Sequence, residues 1–417
     1  MMIPSENYTY PEVRQAVGSV LMHKYAEGLP GKRYYQGNQV VDAIENYCQK
    51  QALSAFGVKE ADWGVNVQPH SGSEANLAAI SALVEPGGKI MSLFLPDGGH
   101  LSHGWQLPDK KLTLVSKFWQ VEFYHLEQET SLIDYATLEK QAKKFKPKLI
   151  ISGGTAYPQE IDYARMSRIT KSVGAYYLAD VAHEAGLIVG KANRSPFPFA
   201  DVVTMTTHKT LRGPRGAIIF GKLPLMAKIN SAVFPGLQGG PHLHTIAGIA
   251  LALKKAREPQ FTRYARQTVV NAQALAEALI DRGLTLVSGG TAKHLVLVDL
   301  RPQQTNGWLV ATALEAAGII ANRNTVPQDG SSPFYPQGLR MGTPALTVRG
   351  MREKEMSTIA GWMGQIIDQV TGIKLPLAAA DRDSFLADFQ TRINRNLTIR
   401  SIRRQVAALC RQYPLEF

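Results

Sequence analysis

Short apolar runs alternate with helical patterns through the first two-thirds of the chain. The runs 148–152, 175–180 and 201–205 are apolar enough for buried strands, and 163–173 has apolar residues at helical spacing. Strands that alternate with helices form a mostly parallel sheet with both faces covered. Because functional groups gather at the carboxyl ends of such strands, this α/β pattern also predicts where a site should lie.

The remaining third predicts a second, smaller unit. The charged helical stretch 251–272 contains Pro259, where we expect a kink or break, and it bridges to strands at 295–299 and around 339–342. We place the boundary near residue 256, which gives an N-terminal arm with a large domain (1–255) and a small C-terminal α+β domain (256–417). A length of 417 residues suits two domains.

Composition narrows the class of protein. The chain is 45% hydrophobic and 19% charged, and its longest apolar stretch is about half of the ~20 residues that a membrane span needs. The first residues lack the features of a secretion signal. Cys48 and Cys410 lie at opposite ends without metal-like spacing, which is typical of a reducing compartment. We therefore predict a cytoplasmic globular protein without a membrane interaction.

A formal charge of +12 suits anionic ligands, and nucleic acid is the extreme case. The densest basic run is interleaved with apolar residues at helical spacing, which is typical of the solvated face of an amphipathic helix. Contact with RNA is the minor alternative. The basic run consists of Arg392, Arg395, Arg400, Arg403, Arg404 and Arg411.

Small residues at 71–73 precede an apolar helical pattern that begins near Leu77. Backbone N–H groups at a helix start can close on an anion, and the helix dipole adds to the attraction. An ordinary serine N-cap explains the same residues, so this segment alone leaves both interpretations open.

Asp180 ends a predicted strand and is followed closely by His183. A carboxylate and an imidazole should therefore project from the carboxyl edge of the sheet, where an acid can pair with a cationic ring nitrogen. The alternative is a helix-capping aspartate beside a packed histidine.

Lys209 follows the predicted strand 201–205 and lies among threonines, with His208, Arg212 and Arg215 nearby in sequence. Neighbouring positive charge and partial burial lower the pKa of an amine and let a lysine attack carbonyl groups. A surface lysine is the alternative. With an anion-binding segment, Asp180 and the glycine-rich stretch 236–240, the chain has the parts of a pyridoxal phosphate site.

The glycine-rich stretch 98–104 carries His100 and His103, with Asp97 just before it. Two histidines at this spacing can bind a metal ion, but nothing nearby in sequence completes a ligand set. We predict no metal site and expect an imidazole to stack on a cofactor ring.

These residues resemble one family over nearly the whole chain, from Ser5 to Pro414: serine hydroxymethyltransferase, a fold-type-I pyridoxal phosphate enzyme. The landmarks are KYAEGLPGKRYY (24–35), QPHSGS (68–73), GGHLSHG (98–104), TTHKTLRGPRG (206–216), NSAVFPGLQGGP (230–241) and RMGTPA (340–345).

The resemblance implies roles for individual residues. Lys209 would form the aldimine with pyridoxal 5'-phosphate, Asp180 would keep the pyridine nitrogen protonated, and Arg340 would clamp the substrate carboxylate. Glu27 and Tyr35 of the partner subunit would handle protons, with Thr206 and His208 as further catalytic residues. The other implied cofactor-binding residues are Ser71, Gly72, Ser73, Asn76, His100, Thr155 and His183, with Tyr25, Gly239 and Gly240 from the partner in a homodimer.

The resemblance also implies the reaction. Serine and glycine would be interconverted by retro-aldol cleavage, and tetrahydrofolate, the co-substrate, would capture the hydroxymethyl carbon. The implied residues for substrate and folate are Ser5, Tyr34, Leu95, Gly99, Leu101, Asn324, Ser332, Pro333 and Phe334.

Some positions depart from the family pattern. Gln36 stands where glycine is typical, and a side chain there costs room and can alter a backbone angle. Glu184 stands where an apolar residue is usual, and segment 105–135, which borders the folate loop, is unlike the family. Only Met1–Pro4 precede Ser5; either the start is assigned late or the dimer has less interface.

Two other functions stay open at this point. One is a folate-independent aldolase or transaldolase that acts on threonine-like β-hydroxy amino acids. The other is RNA binding with secondary catalysis, although binding alone would need none of Lys209, Asp180 and Arg340.

Overall fold

The computed structural model describes residues 1–376 and 378–415. Its helices are α1 Pro11–Val17, α2 Gln39–Phe56, α3 Gly72–Leu83, α4 Leu114–Phe118, α5 Tyr135–Phe145, α6 Tyr163–Ser172, α7 Ala185–Val189, α8 Met226–Ser231, α9 Leu243–Ala256, α10 Pro259–Ile280, α11 Gly307–Ala316, α12 Pro344–Val348, α13 Glu353–Asp368, α14 Ala379–Arg395 and α15 Leu397–Gln412. Its strands are β1 Gly28–Leu29, β2 Lys32–Arg33, β3 Trp63–Asn66, β4 Lys89–Leu93, β5 Gln106–Leu107, β6 Lys110–Lys111, β7 Gln120–Tyr124, β8 Leu149–Ser152, β9 Tyr176–Asp180, β10 Val202–Thr206, β11 Ala217–Lys222, β12 Thr285–Leu286, β13 Leu295–Asp299, β14 Asn322–Asn324 and β15 Gly338–Gly342.

A seven-stranded sheet forms the centre of the large unit, in the order β3-β11-β10-β9-β8-β4-β7. The neighbours from β10 to β7 pair in parallel, and β11 runs antiparallel to both β10 and β3. The carboxyl ends of β4, β8, β9 and β10 therefore meet at one edge. This arrangement confirms the predicted α/β fold with a mostly parallel sheet.

Both faces of this sheet are buried. Successive side chains of a strand point to opposite faces. In β8, Ile150 packs into one core cluster while Leu149 and Ile151 pack into another, and β10 divides in the same way between Val203 and Val202. The unbroken apolar runs seen in the sequence follow from this two-sided burial.

The second unit is built on an antiparallel sheet in the order β12-β13-β15-β14. Helix α10 joins it to the large unit, because Phe261 and Ala265 lie in the first core, whereas Leu275 and Leu279 lie in the second. The change of core thus falls within α10, which begins just after the boundary that we predict near residue 256. Met2 also packs into the second core.

The predicted break at Pro259 is confirmed, since α9 ends at Ala256 and Pro259 is the first residue of α10. The six arginines of the basic run are exposed, and their neighbours Ile393, Ile399 and Ile402 are buried, as expected for amphipathic helices. Neither cysteine forms a disulfide. Within the described residues, no helix has the length and apolarity to cross a bilayer.

Two of the departures from the family pattern, Gln36 and segment 105–135, fit into the fold without disturbing neighbouring elements. Gln36 is exposed and is not among the residues with positive φ, while the neighbouring Gly37 has a φ of 72°. Within one chain, Gln36 thus has room for its side chain and keeps an ordinary backbone angle. The divergent segment 105–135 forms the β5–β6 hairpin, α4 and the edge strand β7, where Trp105 packs against Phe94 and Phe123.

Candidate active site

Lys209 lies in a tight turn just after β10 and is 8% exposed. The turn is fixed by the hydroxyl of Thr207, which donates to Pro214 O at 2.6 Å, and by that of Thr210, which donates to His183 O at 2.7 Å. Burial lowers the pKa of Lys209 to about 8, although the charge of Asp180 acts in the opposite direction. A pKa near 8 leaves about a tenth of the amine neutral at pH 7, and the neutral form is the nucleophile.

The residues on either side of Lys209 are also held in place. Thr206 ends β10, and its Oγ1 donates to Ala182 O at 3.3 Å. His208 is partly buried, and burial followed by the charge of Lys209 lowers its pKa to about 4. His208 is therefore neutral at neutral pH.

The first turn of α3 lies against the end of β10. Ser71 is the N-cap, and its side chain accepts from Glu74 N, so the capping interpretation is correct locally. Capping does not use all the N–H groups of a first turn, and those of Gly72 and Ser73 have no intrahelical partner. A Cβ on Gly72 would lie 2.5 Å from Cγ2 of Thr206, so only glycine lets this turn approach the lysine strand.

Asp180 ends β9 and is held by donors to both carboxylate oxygens. Oδ2 accepts from Asn76 at 2.7 Å and contacts Nε2 of His103 at 2.9 Å, and Oδ1 accepts from Ala182 N at 3.0 Å. Burial opposes ionisation, but the hydrogen bond and charge of His103 outweigh it and hold the pKa of Asp180 well below its usual range. The carboxylate is therefore ionised although it is buried.

Asn76 orders this carboxylate because it also accepts from Thr204 at 2.6 Å and is fully packed. His103 was not predicted as a site residue. The presence of two histidines in 98–104 was the available sequence signal for His103. That signal was not sufficient, because the partner of His103, Asp180, is distant in sequence.

His100 is turned by a contact between its Nδ1 and the hydroxyl of Ser102 at 2.8 Å, and its ring centroid lies 5.5 Å from that of His103. Burial and the nearby His103 lower the pKa of His100 to about 4. Ligand atoms of His100, His103 and Asp180 lie within 4.8 Å of one another. The fold alone creates this group, because Asp180 is distant from both histidines in sequence. Asp97 turns instead to His125, at 2.9 Å.

The residues that follow Asp180 in sequence contact a second set of buried polar groups. His183 Nδ1 lies 3.2 Å from Nε2 of His294, which directly precedes β13 in the small unit. Burial lowers the pKa of both histidines well below its usual value. The adjacent residues, Glu184 and Lys293, form a buried ion pair. Neither Lys293 nor His294 was predicted, since each becomes significant only through its partner.

Arg340, on β15, reaches the same region from the small sheet. Its Nη1 donates to O and Oγ1 of Thr155 at 2.5 and 2.6 Å, and its Nε donates to Asn322 at 3.1 Å. Burial lowers its pKa to about 10, so it stays charged at neutral pH. Within residues 1–376 and 378–415 it makes no ion pair with a carboxylate, which leaves a buried cation in need of an anion.

The N-terminal segment also contacts the lysine turn. Asn7 Nδ2 donates to Lys209 O at 2.9 Å and to the hydroxyl of Tyr264 at 2.8 Å. This contact brings the segment that contains Ser5, a predicted substrate-binding residue, toward Lys209. Asn7 itself was missed, and the sequence gave no sign of its partner.

The residues that the resemblance assigns to a partner subunit lie together on the surface. The ring centroids of Tyr25 and Tyr35 are 5.1 Å apart, and the Tyr25 hydroxyl lies 3.4 Å from Oε1 of Glu27. A Cβ on Gly239 would lie 3.2 Å from that same oxygen, and one on Gly240 would lie 3.6 Å from the Tyr25 ring. We call Tyr25, Glu27, Tyr34, Tyr35, Gly239 and Gly240 the tyrosine cluster.

The predicted folate-binding residues are dispersed over three places. Leu95, Gly99 and Leu101 belong to the loop that carries His100, Asn324 lies at the end of β14, and Tyr34 lies in the tyrosine cluster. Segment 332–334 lies in the loop before β15. Tyr34 and Phe334 are 77% and 71% exposed, and across the described ranges neither makes a ring contact with a histidine.

The buried residues fit pyridoxal phosphate. His183 Nε2 is buried without a hydrogen-bond partner among the described residues, so a ring hydroxyl could bond to it. The start of α3 offers N–H groups to a phosphate, Asp180 offers a carboxylate to a cationic nitrogen, and Lys209 offers an amine. These features define a pyridoxal-phosphate-dependent enzyme of fold type I.

Comparisons with known proteins give the particular family. The family model for serine hydroxymethyltransferase matches residues 1–363. The cytosolic serine hydroxymethyltransferase of Oryctolagus cuniculus is 45% identical over 99% of this chain and 89% of its own length. The Myxococcus xanthus protein of that name is 50% identical over 88% of this chain and 86% of its own. The mitochondrial one of Saccharomyces cerevisiae is 44% identical over 99% and 88%. The chain belongs to the serine hydroxymethyltransferase family.

Proposed function

We propose that this protein interconverts serine and glycine, transfers the hydroxymethyl carbon to tetrahydrofolate, and uses Lys209 to carry pyridoxal phosphate. Family membership supports the reaction. The main support for the site is that Lys209, the ionised Asp180 and Arg340 lie near one another at one edge of the large sheet. Among the described residues, Arg340 has no carboxylate partner. The folate-independent aldolase and RNA-binding alternatives receive no support from the comparisons.

When bound, pyridoxal phosphate supplies an electron sink for cleavage of a carbon–carbon bond. The chain provides the groups that prepare it. Asp180, kept ionised by His103 and Asn76, would hold a proton on the ring nitrogen of the cofactor. His100, His183 and Asn76 would flank the cofactor ring, and Ser71, Gly72 and Ser73 would offer donors to its phosphate.

Arg340 binds the substrate carboxylate in this proposal. A guanidinium recognises a carboxylate through two parallel N–H donors, and Nη2 of Arg340 makes no hydrogen bond with the described residues. Thr155, a predicted cofactor-binding residue, holds this arginine through both its carbonyl and its hydroxyl. Ser5 would contribute from the N-terminal segment.

We further propose a homodimer in which the tyrosine cluster completes the partner's site. Tyr25, Tyr34 and Tyr35 are 55%, 77% and 40% exposed, which is unusual for large side chains that lie together. An apolar groove of about 660 Å³ between α2 and α9, lined by Val40, Tyr47 and others, continues this surface. Sedimentation of the purified protein should give twice the 45.7 kDa chain mass; a monomer would overturn this proposal.

Two finer assignments belong to the same proposal. In the dimer, Glu27 and Tyr35 would handle protons of the substrate. Folate would lie between the loop of Leu95, Gly99 and Leu101 and the region of Tyr34, Asn324 and 332–334.

A cytoplasmic location is proposed from the two free cysteines; the named relatives include cytosolic and mitochondrial proteins. Imaging of a fluorescent fusion tests the location.

The direct test of function is to incubate the purified protein with serine, with and without tetrahydrofolate, and to measure glycine. Glycine should form only with folate. Equal cleavage of threonine or phenylserine without folate, combined with no folate effect on serine, would contradict the proposal. Lys209→Ala should lose the visible absorbance of the bound cofactor, whereas Lys171→Ala, an exposed control on α6, should keep it.

A further inference from the structure

Glu184 and Lys293 form an ion pair inside the protein, between its two units. Both side chains are 3% exposed. Glu184 lies in the loop after Asp180, at the start of α7, and Lys293 lies two residues before β13. The pair therefore joins the cofactor edge of the large sheet to the small sheet that carries Arg340.

A second contact runs beside the ion pair. The rings of His183 and His294 are stacked, with an interplanar angle of 22° and centroids 5.4 Å apart. Two consecutive residues of one unit thus meet two consecutive residues of the other. Lys293 Nζ also lies 5.4 Å from the ring centroid of Tyr157, which follows Thr155 closely in sequence. The same contact region therefore includes the segment that anchors Arg340.

Stability is a weak explanation for this pair. Burying two charges costs several kcal/mol per ion, and apolar replacements of buried pairs are often neutral or stabilising. Oε2 of Glu184 has no hydrogen-bond partner within the described part of the chain, so the carboxylate is not fully compensated. A buried ion pair between the two units, with one carboxylate oxygen unsatisfied, is better explained by a role in holding neighbouring residues in position.

We propose that Glu184 and Lys293 are a positioning pair, which holds His294 against His183 and fixes the small sheet relative to the cofactor edge without adding net charge there. This proposal rests on the proposed binding of pyridoxal phosphate at Lys209. Neither residue needs to touch substrate.

The two charges act on the site with opposite signs. Burial lowers the pKa of Lys209, and the carboxylates of Asp180 and Glu184 raise it. Burial lowers the pKa of His294, and the charge of Lys293 lowers it further. Removing one partner would therefore expose the site to an uncompensated charge. The other ionisable groups that act on Lys209 or are acted on by it are Arg340, Arg215, His100, His183, His208 and His294.

The test measures the pH midpoint of the cofactor's visible absorbance in the holoenzyme, together with the rate at which cofactor is lost on dilution. Lys293→Met should raise the midpoint and Glu184→Gln should lower it. Each shift should be on the order of half a pH unit or more, as a buried unit charge produces at an effective dielectric of about 20. The combined variant should recover the midpoint but should lose cofactor several-fold faster, because the tether is gone.

The exposed pair Glu139 and Lys143 on α5 is the matched control, and Glu139→Gln with Lys143→Met should change neither measurement. Shifts of the same sign in the two single variants, or parental cofactor loss in the combined variant, would overturn the proposal. If a single variant does not fold, the combined variant still decides it through cofactor loss. Absence of cofactor absorbance in the parent protein would instead refute the proposed function.

Discussion

Arg340→Lys tests the most demanding feature of the site, a buried cation that has no counter-ion in the described part of the chain. The substitution keeps the positive charge but removes the planar fork, so the lysine cannot donate to Thr155 and Asn322 and also hold a carboxylate through two nitrogens. A hydrogen bond between charged groups contributes about 1.5–3 kcal/mol. Losing one such bond should weaken serine or glycine binding about 10- to 150-fold.

The assay is a titration of the holoenzyme with glycine, followed by its absorbance, to obtain a dissociation constant. Arg323→Lys is the matched control, because Arg323 lies on the neighbouring strand β14 and is exposed. The control should bind glycine like the parent protein. If Arg340→Lys also binds with parental affinity, the carboxylate is held elsewhere and the assignment of Arg340 is wrong.

Three further predictions concern the large unit. The rate at which the apo protein recombines with pyridoxal phosphate should rise as pH increases through about 8, since Lys209 loses its proton there; a rate that does not change between pH 7 and 9 would contradict the pKa shift. His103→Ala removes the group that most favours ionisation of Asp180, so cofactor affinity should fall at least about ten-fold in an equilibrium titration, the effect of one charged hydrogen bond. Glu45→Ala removes a buried partner of Arg33, which should destabilise the protein by about 1–3 kcal/mol, because Asp42 still pairs with that arginine; thermal unfolding at the parental temperature would argue against it.

The elements that carry the site were predictable because their signals are local. The apolar runs before Asp180 and Lys209 indicated β9 and β10, and the small residues at 71–73 indicated the start of α3. The antiparallel strand β15 was expected from the pattern around 339–342. Each of these signals lies within about ten residues of sequence, where periodicity and turn chemistry are informative.

The partners of those side chains were not predictable, because they come from distant parts of the chain. His103 meets Asp180 across 77 residues, and Asn76 meets the same carboxylate across 104. Arg340 reaches Thr155 across 185 residues. A single sequence has no pattern that pairs such positions. For the same reason, nothing in the sequence near His100 and His103 indicated that Asp180 would join them.

Glu184 shows how a departure from a family pattern gains meaning in three dimensions. In the sequence it is an acidic residue where an apolar one is usual. The structure places it against Lys293, 109 residues away. A buried carboxylate requires a compensating charge, so the two positions constrain each other. Either charge alone is uncompensated in the interior, whereas a neutral pair at both positions avoids that cost.

The charges buried at the sheet edge also indicate what the site must receive. Lys209, Lys293 and Arg340 face Asp180 and Glu184, while His100, His183 and His294 are held neutral by burial. The charges of Glu184 and Lys293 cancel, and Asp180 is engaged by His103 and Asn76. Arg340 and the start of α3 therefore have no anionic partner among the residues that the structure describes. A site with these two unmet positions should bind two anionic groups, one at Arg340 and one at the start of α3. A cofactor phosphate and an amino-acid carboxylate meet that requirement. The net charge of +12 would not have indicated this site, because the densest run of arginines lies on solvated helices.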